Sequence, residues 1–373
     1  TFSSPEVLAV FISSVSVSQL VVAFIPSIFL GSPNSETSTS VLPGHKLLLD
    51  GRGYEAVKLC LMGIVFSIIF SLVLVFLLSS SFKDIYYTLR PYVFYLILFV
   101  SVFMILSEKE TKKILFSAII FIISGFIGII SLNSSLSSFY IIFPMLSGFF
   151  GLSTLIISLK EKSFIPKQKI DEEVKINKLD FIKSSILGSL FGLTVGFLPG
   201  VGVSQAAIIA QTLAGLNDAR SFLVTLGSIS MANEIFSLNS LYLVGNPRSG
   251  SSVAIQRILQ ELNFSDFILI ISSIMLSSFL AILFSLYLAK RFHIVFLKVS
   301  YTTLNICVII FLSSLVLIFT GLIGFIVFIT CGAVGILAAE LNVRRSHCVG
   351  CLLLPSMLFF HGSTPIVLAL LFK

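Results

Sequence analysis

Charge is what this sequence has least of. Asp, Glu, Lys and Arg make up 11% of its 373 residues, against about 25% in ordinary soluble domains. Tryptophan is absent altogether. Such a chain cannot cover a water-facing surface, and with hydrophobic residues at 56% a water-soluble globule is excluded. The five cysteines, at 60, 307, 331, 348 and 351, lie mostly inside apolar runs. A free thiol there behaves as a small hydrophobe, so no disulfide framework is implied. Cys348 and Cys351 have C-x-x-C spacing, yet no second pair, His ligand set or βαβ pattern accompanies them, and no redox or metal role is assigned. H-E-x-x-H, G-x-S-x-G and a complete P-loop are also missing. No catalytic residue, cofactor or metal is expected, the chain is read as not an enzyme, and ATP-driven transport within it is disfavoured.

What is present is a series of apolar runs, and about 20 residues suffice to cross a bilayer. Candidate spans fall at 5–30, 54–80, 91–107, 113–131, 139–158, 181–198, 203–217, 219–244, 265–290, 303–320, 321–341 and 348–372. Tyr86, Tyr87, Tyr92, Tyr140, Tyr287 and Tyr301 fall near span ends, where an amphipathic ring suits the headgroup level. The net charge is +7, but the basic residues sit in short loops between apolar runs, which encodes topology and does not resemble a nucleic-acid groove. Residues 160–180, "KEKSFIPKQKIDEEVKINKLD", are too polar to enter lipid. They divide a first transmembrane repeat, 1–158, from a second, 181–373, through a cytoplasmic linker at 159–180.

The two halves share patterns. "GSPNSETSTSV" at 31–41 and "GNPRSGSSVAI" at 245–255 match at an offset of 214 residues, which also pairs Ser14 and Ser16 with Ser228 and Ser230. "FPMLSGFFG" at 143–151 and "LPSMLFFHG" at 354–362 match at an offset of 211. Two such anchors point to duplication. Cation-rich loops of the first copy, 46–58 and 109–113, correspond to cation-poor loops of the second, whose rich loops are 290–298 and Arg344 with Arg345. Assigning the rich loops and the linker to the inside accounts for 18 of the 24 Lys and Arg. The expected fold is therefore an all-α polytopic membrane protein with two inverted-topology repeats and broken or re-entrant helices near the midplane.

Three segments carry the candidate binding residues. In "GFLPGVGVSQAAIIAQ", 196–211, Pro199, Gly200 and Gly202 interrupt an apolar run. A broken helix leaves backbone groups that only protein, water or a ligand can satisfy in hydrocarbon. A half-helix starting after Gly202 would aim free N–H groups and its positive dipole end at the break, with Ser204 and Gln205 beside them, which favours an anion. The two Gly-x-Pro segments add Gly31, Pro33, Asn34, Ser35, Thr37 and Ser38 from the first copy, and Gly245, Asn246, Pro247, Arg248, Ser249 and Ser251 from the second. Arg248 can grip a carboxylate bidentately. Glu234, Asn233 and Glu36 are the candidates for a coupling proton or sodium ion, since intramembrane ionisable groups are costly and usually functional.

These residues resemble a known family, the large membrane subunit of tripartite tricarboxylate transporters (TctA-like), particularly its stand-alone archaeal-type relatives. "FLPGVGVSQAAIIAQ" is similar to the family's Pro-Gly-x-Gly segment, and "IPSIFLGSPNSETSTSVLPGHKLLLDGRGYEAVKL" to its Gly-x-Pro segment with the Pro-Gly and Glu-Ala that follow. The second Gly-x-Pro copy departs from this by carrying Arg248 and lacking a counterpart of Pro43 and Gly44. The family pattern also puts a Pro-Gly-x-Gly element before the first Gly-x-Pro segment. At the 214-residue offset it would precede residue 1, so further N-terminal sequence is expected. The resemblance implies uptake of an organic anion, a di- or tricarboxylate, driven by a cation gradient across the cell membrane. It further implies lipid as solvent, and a small membrane subunit and an extracytoplasmic binding protein as partners. The residues alone leave open translocation of a lipid-linked phosphate, an intramembrane lipid-modifying enzyme using Glu234, His361 or the cysteines, and a non-transporting scaffold.

Overall fold

The computed structural model describes residues 4–30, 41–108, 110–134, 136–161, 168–169, 173–197, 202–214, 218–298 and 301–371. In chain order the helices are α1 (Pro5–Val22), α2 (Phe24–Leu30), α3 (Val41–Leu49), α4 (Gly53–Leu78), α5 (Phe82–Leu89), α6 (Val93–Leu106), α7 (Thr111–Leu132), α8 (Ser138–Leu146), α9 (Ser153–Glu161), α10 (Lys178–Phe197), α11 (Val203–Ala214), α12 (Ala219–Val244), α13 (Gly250–Leu259), α14 (Phe264–Lys298), α15 (Tyr301–Glu340), α16 (Gly350–His361) and α17 (Thr364–Leu371). Helix is the expected choice, because in hydrocarbon each backbone N–H and C=O needs a partner and a helix supplies it within the segment. Among the described residues eight helical segments are long and apolar enough to cross a membrane. The chain is an all-α polytopic membrane protein.

It divides into two compact units, each assembled from separate stretches: α1–α5 with α10–α14, and α6–α9 with α15–α17.

The first unit is organised around α12. This helix has a mean hydropathy of only 1.3, yet it is buried along its whole hydrophobic window. It carries Ser228, Ser230, Asn233, Glu234, Ser237, Asn239 and Ser240, and facing them to lipid would cost several unsatisfied polar groups. Glycine lets the neighbours close over it. On α10, Gly188, Gly192 and Gly196 repeat every fourth residue, and a Cβ on each would meet α12 atoms at 2.6, 2.4 and 2.7 Å. On the α4 side, Gly63 faces the Val224 carbonyl and Gly227 of α12 faces the Cys60 carbonyl, each 2.2 Å from where a Cβ would stand. Such small-residue seams let helix backbones approach in membranes, where no hydrophobic drive holds helices together.

A carboxylate ties the starts of three helices of this unit. Glu55, in the first turn of α4, accepts from Arg220 Nε at 2.8 Å, Arg52 Nη1 at 3.2 Å and the Lys175 N–H at 3.0 Å. Beside it, Gln168 accepts from the Gly53 N–H and donates to the Leu48 carbonyl, while the Lys169 N–H reaches the Gly51 carbonyl. The polar segment read as a linker is thus clipped onto the α3–α4 turn. Because α10 and α12 both begin beside Glu55, the chain must return between them. α11 makes that return with 12 residues, about 18 Å at 1.5 Å per residue, against about 30 Å of hydrocarbon. Over its described residues, 203–214, the run expected to span at 203–217 is therefore a short return helix.

In the second unit, α15 is interrupted at Gly321, whose φ of 62° and ψ of −159° are non-helical. That is the point dividing the expected spans 303–320 and 321–341. The run at 348–372 is likewise split, into α16 and α17, by Gly362 at φ 77°. Pro144 sits inside α8, and a π-helical turn, Ser147–Leu152, follows it. Leu152, Val316 and Phe328 form the core against which Phe143, Leu312 and Phe325 pack. Between α6 and α7, Glu108 accepts from the ring Nε2 of His347 at 3.0 Å and lies 3.8 Å from Arg344 Nε. His347 is 1% exposed, and burial holds its pKa below the usual histidine value, against the opposing pull of Glu108.

Candidate functional site

Midway along α12 lies a buried acid, Glu234, 5% exposed. Its Oε1 accepts from the hydroxyl of Ser16 on α1 at 2.9 Å and from that of Ser251 on α13 at 2.5 Å. Among the described residues no Lys or Arg forms an ion pair with it. A carboxylate so placed is stable only when it is protonated, bound to a cation, or solvated by donors such as these hydroxyls. Asn233, 9% exposed, precedes it on α12, its backbone facing Gly192 and Gly196.

The segment between α12 and α13 is folded by a chain of serines. α12 ends at Gly245, whose φ of 69° is left-handed, with its N–H on the Leu241 carbonyl. Glycine takes this conformation without Cβ strain. Ser240 Oγ then donates to the Asn246 carbonyl. Ser249 caps α13 through a reciprocal pair with Ser252, each hydroxyl accepting the other's backbone N–H. Ser237, from α12, accepts the N–H groups of Arg248 at 3.1 Å and Ser249 at 2.6 Å. The Ser249 and Ser251 hydroxyls are 2.7 Å apart, so hydrogen bonds run unbroken from the backbone at Arg248 to the carboxyl of Glu234.

On the other side of Arg248 stands Tyr86 of α5, 2% exposed. Its hydroxyl accepts from Arg248 Nη2 at 2.9 Å and from Asn246 Nδ2, and the guanidinium lies 5.7 Å from the ring centroid, a cation–π approach. Phe197, the last residue of α10, meets the Tyr86 ring edge-on at 5.2 Å. The end of α10, which precedes the Pro-Gly-x-Gly segment in sequence, therefore touches the tyrosine that holds Arg248.

Gly245, Asn246, Arg248, Ser249 and Ser251 are thus brought together with Glu234, and Pro247 lies within the same turn. Gly202 is exposed and its carbonyl accepts the Ala206 N–H. α11 starts at the next residue, as the spacing predicts, with Ser204 and Gln205 in its first turn. Pro199, Gly200 and the first Gly-x-Pro segment, Gly31, Pro33, Asn34, Ser35, Glu36, Thr37 and Ser38, lie outside the described residues. Sequence reasoning missed Tyr86, which it placed at the headgroup level, and Ser16, noted only as the counterpart of Ser230. It also missed the capping role of Ser237 and Ser252. The Ser density around 228–252 was the one signal available. The five cysteines are free thiols.

A multi-pass helical protein that holds a carboxyl and a guanidinium on a hydroxyl network inside its bundle has the make-up of a membrane transport protein. The chain belongs to the tripartite tricarboxylate transporter TctA family, whose sequence model matches residues 1–350. It is also similar to an uncharacterised protein of Methanocaldococcus jannaschii, at 33% identity over 358 residues, covering 94% of this chain and 88% of the relative. No solved structure matches it.

Proposed function

We propose that this chain is a secondary transporter of the cell membrane that moves a di- or tricarboxylate with a proton or sodium ion. The observation that carries the reading is the hydrogen-bonded series from Arg248 to Glu234. It joins the backbone of Arg248, whose guanidinium would bind the anion, to the carboxyl of Glu234 on α12, which would bind the cation, so that occupancy of one could be felt at the other. Arg248 receives a substrate carboxylate, Tyr86 and Asn246 orient it, and the α11 N-terminus with Ser204 and Gln205 adds backbone donors. Glu234 exchanges the coupling cation.

The alternating-access frame would be two inverted repeats. Support comes from helix bounds as well as motifs: α1–α2 runs from Pro5 to Leu30 and α12 from Ala219 to Val244, offset by 214 at both ends. Pro144 and Pro355 each sit inside a helix at an offset of 211. Broken elements near Arg248 and Glu234 would then open in turn to either side. A small membrane subunit and an extracytoplasmic binding protein are the partners the family suggests.

The test is uptake of radiolabelled di- and tricarboxylates into proteoliposomes under imposed proton or sodium gradients. Accumulation that follows one gradient and is lost in Arg248→Ala is the expected result. Absence of gradient-dependent flux for every carboxylate would overturn the reading.

A further inference from the structure

Outside this site, the first unit carries a groove of about 520 Å³ between α4, α10 and α14. Leu61, Val65 and Ile69 of α4, Phe181 of α10 and Ile282 and Leu286 of α14 line it, and Lys58 is the one charged residue on its wall. On α4 the lining positions run from Lys58 to Ile69 along one helical face, which puts the ammonium at one end of an apolar trough. In size the groove falls within the range of small-ligand pockets, about 300–1,000 Å³, and it has the shape and polarity to take a single hydrocarbon chain.

The chemistry at the Lys58 end is one-sided. Lys58 Nζ sits 4.5 Å over the Tyr54 ring. Lys178 and Lys183 flank Phe181 on the first turns of α10, and Lys290 and Arg291 follow Leu286 by one turn on α14, all four exposed. Of the acids on these turns, Glu55 is bridged to Arg220 and Arg52, and Asp180 is the other. This end is also where the polar linker is clipped to the α3–α4 turn, the side assigned by its cations to the cytoplasm. An apolar trough alone would accept any lipid tail, since tails gain nothing by exchanging one hydrocarbon surface for another. Lys58 at its end, with further cations on the adjoining helix turns, selects by headgroup charge.

We propose that this groove is a binding site for an anionic membrane lipid, with one hydrocarbon chain along α4 and the phosphate held by Lys58 and the cations around it. It is separate from the Arg248–Glu234 turn and does not depend on what the protein transports.

Because the chain contains no tryptophan, one introduced indole reports on one place. Val65 lines the groove and is 45% exposed, seven residues beyond Lys58, about 10 Å along the helix. Full-length Val65→Trp protein is reconstituted in vesicles, and its fluorescence is quenched with phosphatidylglycerol or phosphatidylcholine brominated in the acyl chain. Phe76→Trp, at an 83% exposed position on the same helix, is the reference. The expected result is a relative affinity for the brominated phosphatidylglycerol about fivefold higher at Val65→Trp than at Phe76→Trp. Lys58→Gln should abolish that preference while leaving quenching by phosphatidylcholine intact. Equal quenching by both lipids at Val65→Trp would overturn the proposal by making the groove ordinary annular surface. Absence of quenching by either lipid would overturn it too, and would indicate a second copy of the chain or another protein in the groove.

Discussion

Ser16 donates to Glu234 across 218 positions of sequence. The contact joins α1 to α12, and Ser251 completes it from α13. A single carboxyl thus gathers three helices, so a change in its protonation would bear on how they pack. Binding and release of a cation at Glu234 would be transmitted as the making and breaking of hydroxyl bonds that each contribute about 0.5–3 kcal/mol.

Replacing Glu234 by Gln keeps an acceptor for both serines and removes the charge. Proteoliposomes with Glu234→Gln should retain folded protein and anion binding but lose accumulation driven by the cation gradient. Gradient-driven uptake at the wild-type level would remove Glu234 from the coupling step.

Tyr86→Phe deletes the oxygen on which Arg248 and Asn246 converge while sparing the ring that packs on Phe197. Leaving those donors without their acceptor costs about 1–3 kcal/mol. A KM for the anion raised roughly tenfold, with protein yield unchanged, is the expected outcome of transport assays. An unaltered KM would show that the hydroxyl does not orient the guanidinium for substrate.

The glycine seam of α10 gives a stability prediction. A leucine in place of Gly192 would drive its Cβ to 2.4 Å from that of Ala232. The helices would have to separate, at a cost of more than about 3 kcal/mol. Gly192→Leu should lose its monodisperse peak in size-exclusion chromatography, whereas Gly250→Ala, with nothing within 4 Å of the added carbon, should behave as wild type.

His347 gives a pH dependence in the second unit. Burial lowers its folded pKa below the unfolded value of about 6.5. Above that value both states are neutral and the stabilisation is complete. As the pH falls, the unfolded chain takes up the proton first and stability is lost towards the folded pKa. The unfolding midpoint of the wild type should therefore drop between pH 7 and 5 more steeply than that of His347→Gln. Parallel curves would show that His347 titrates alike in both states.

Much of the helical framework was legible because lipid imposes length: the runs at 54–80, 113–131 and 219–244 reappear as α4, α7 and α12 within a few residues. Breaks written in glycine were legible too, since α11 begins directly after Gly202 and α15 loses helical geometry at Gly321. The return of α11 was not, because an apolar run of this length carries no mark of whether it crosses or turns back; the shared anchor at Glu55 decides it. The grouping of the candidate residues was legible where it was local, at Gly245, Arg248 and Ser251, which share one turn and the helix it opens. Tyr86 and Ser16 enter it from 160 or more positions away, and no pattern along the chain carries such a pairing.

The burial of α12 also bears on what can move. A helix seamed by glycine to α10 from Thr225 to Ser237 and to α4 at Val224–Ser228 would not slide without unzipping both, so it would serve as the fixed post of its unit. Rearrangement would fall to the short pieces beside it, α11 and α13. α13 is held to the post mainly by serine hydroxyls, which can trade one partner for another by a rotation of the side chain. The carboxyl stays in place, and the gates would be built from the parts that are cheapest to turn.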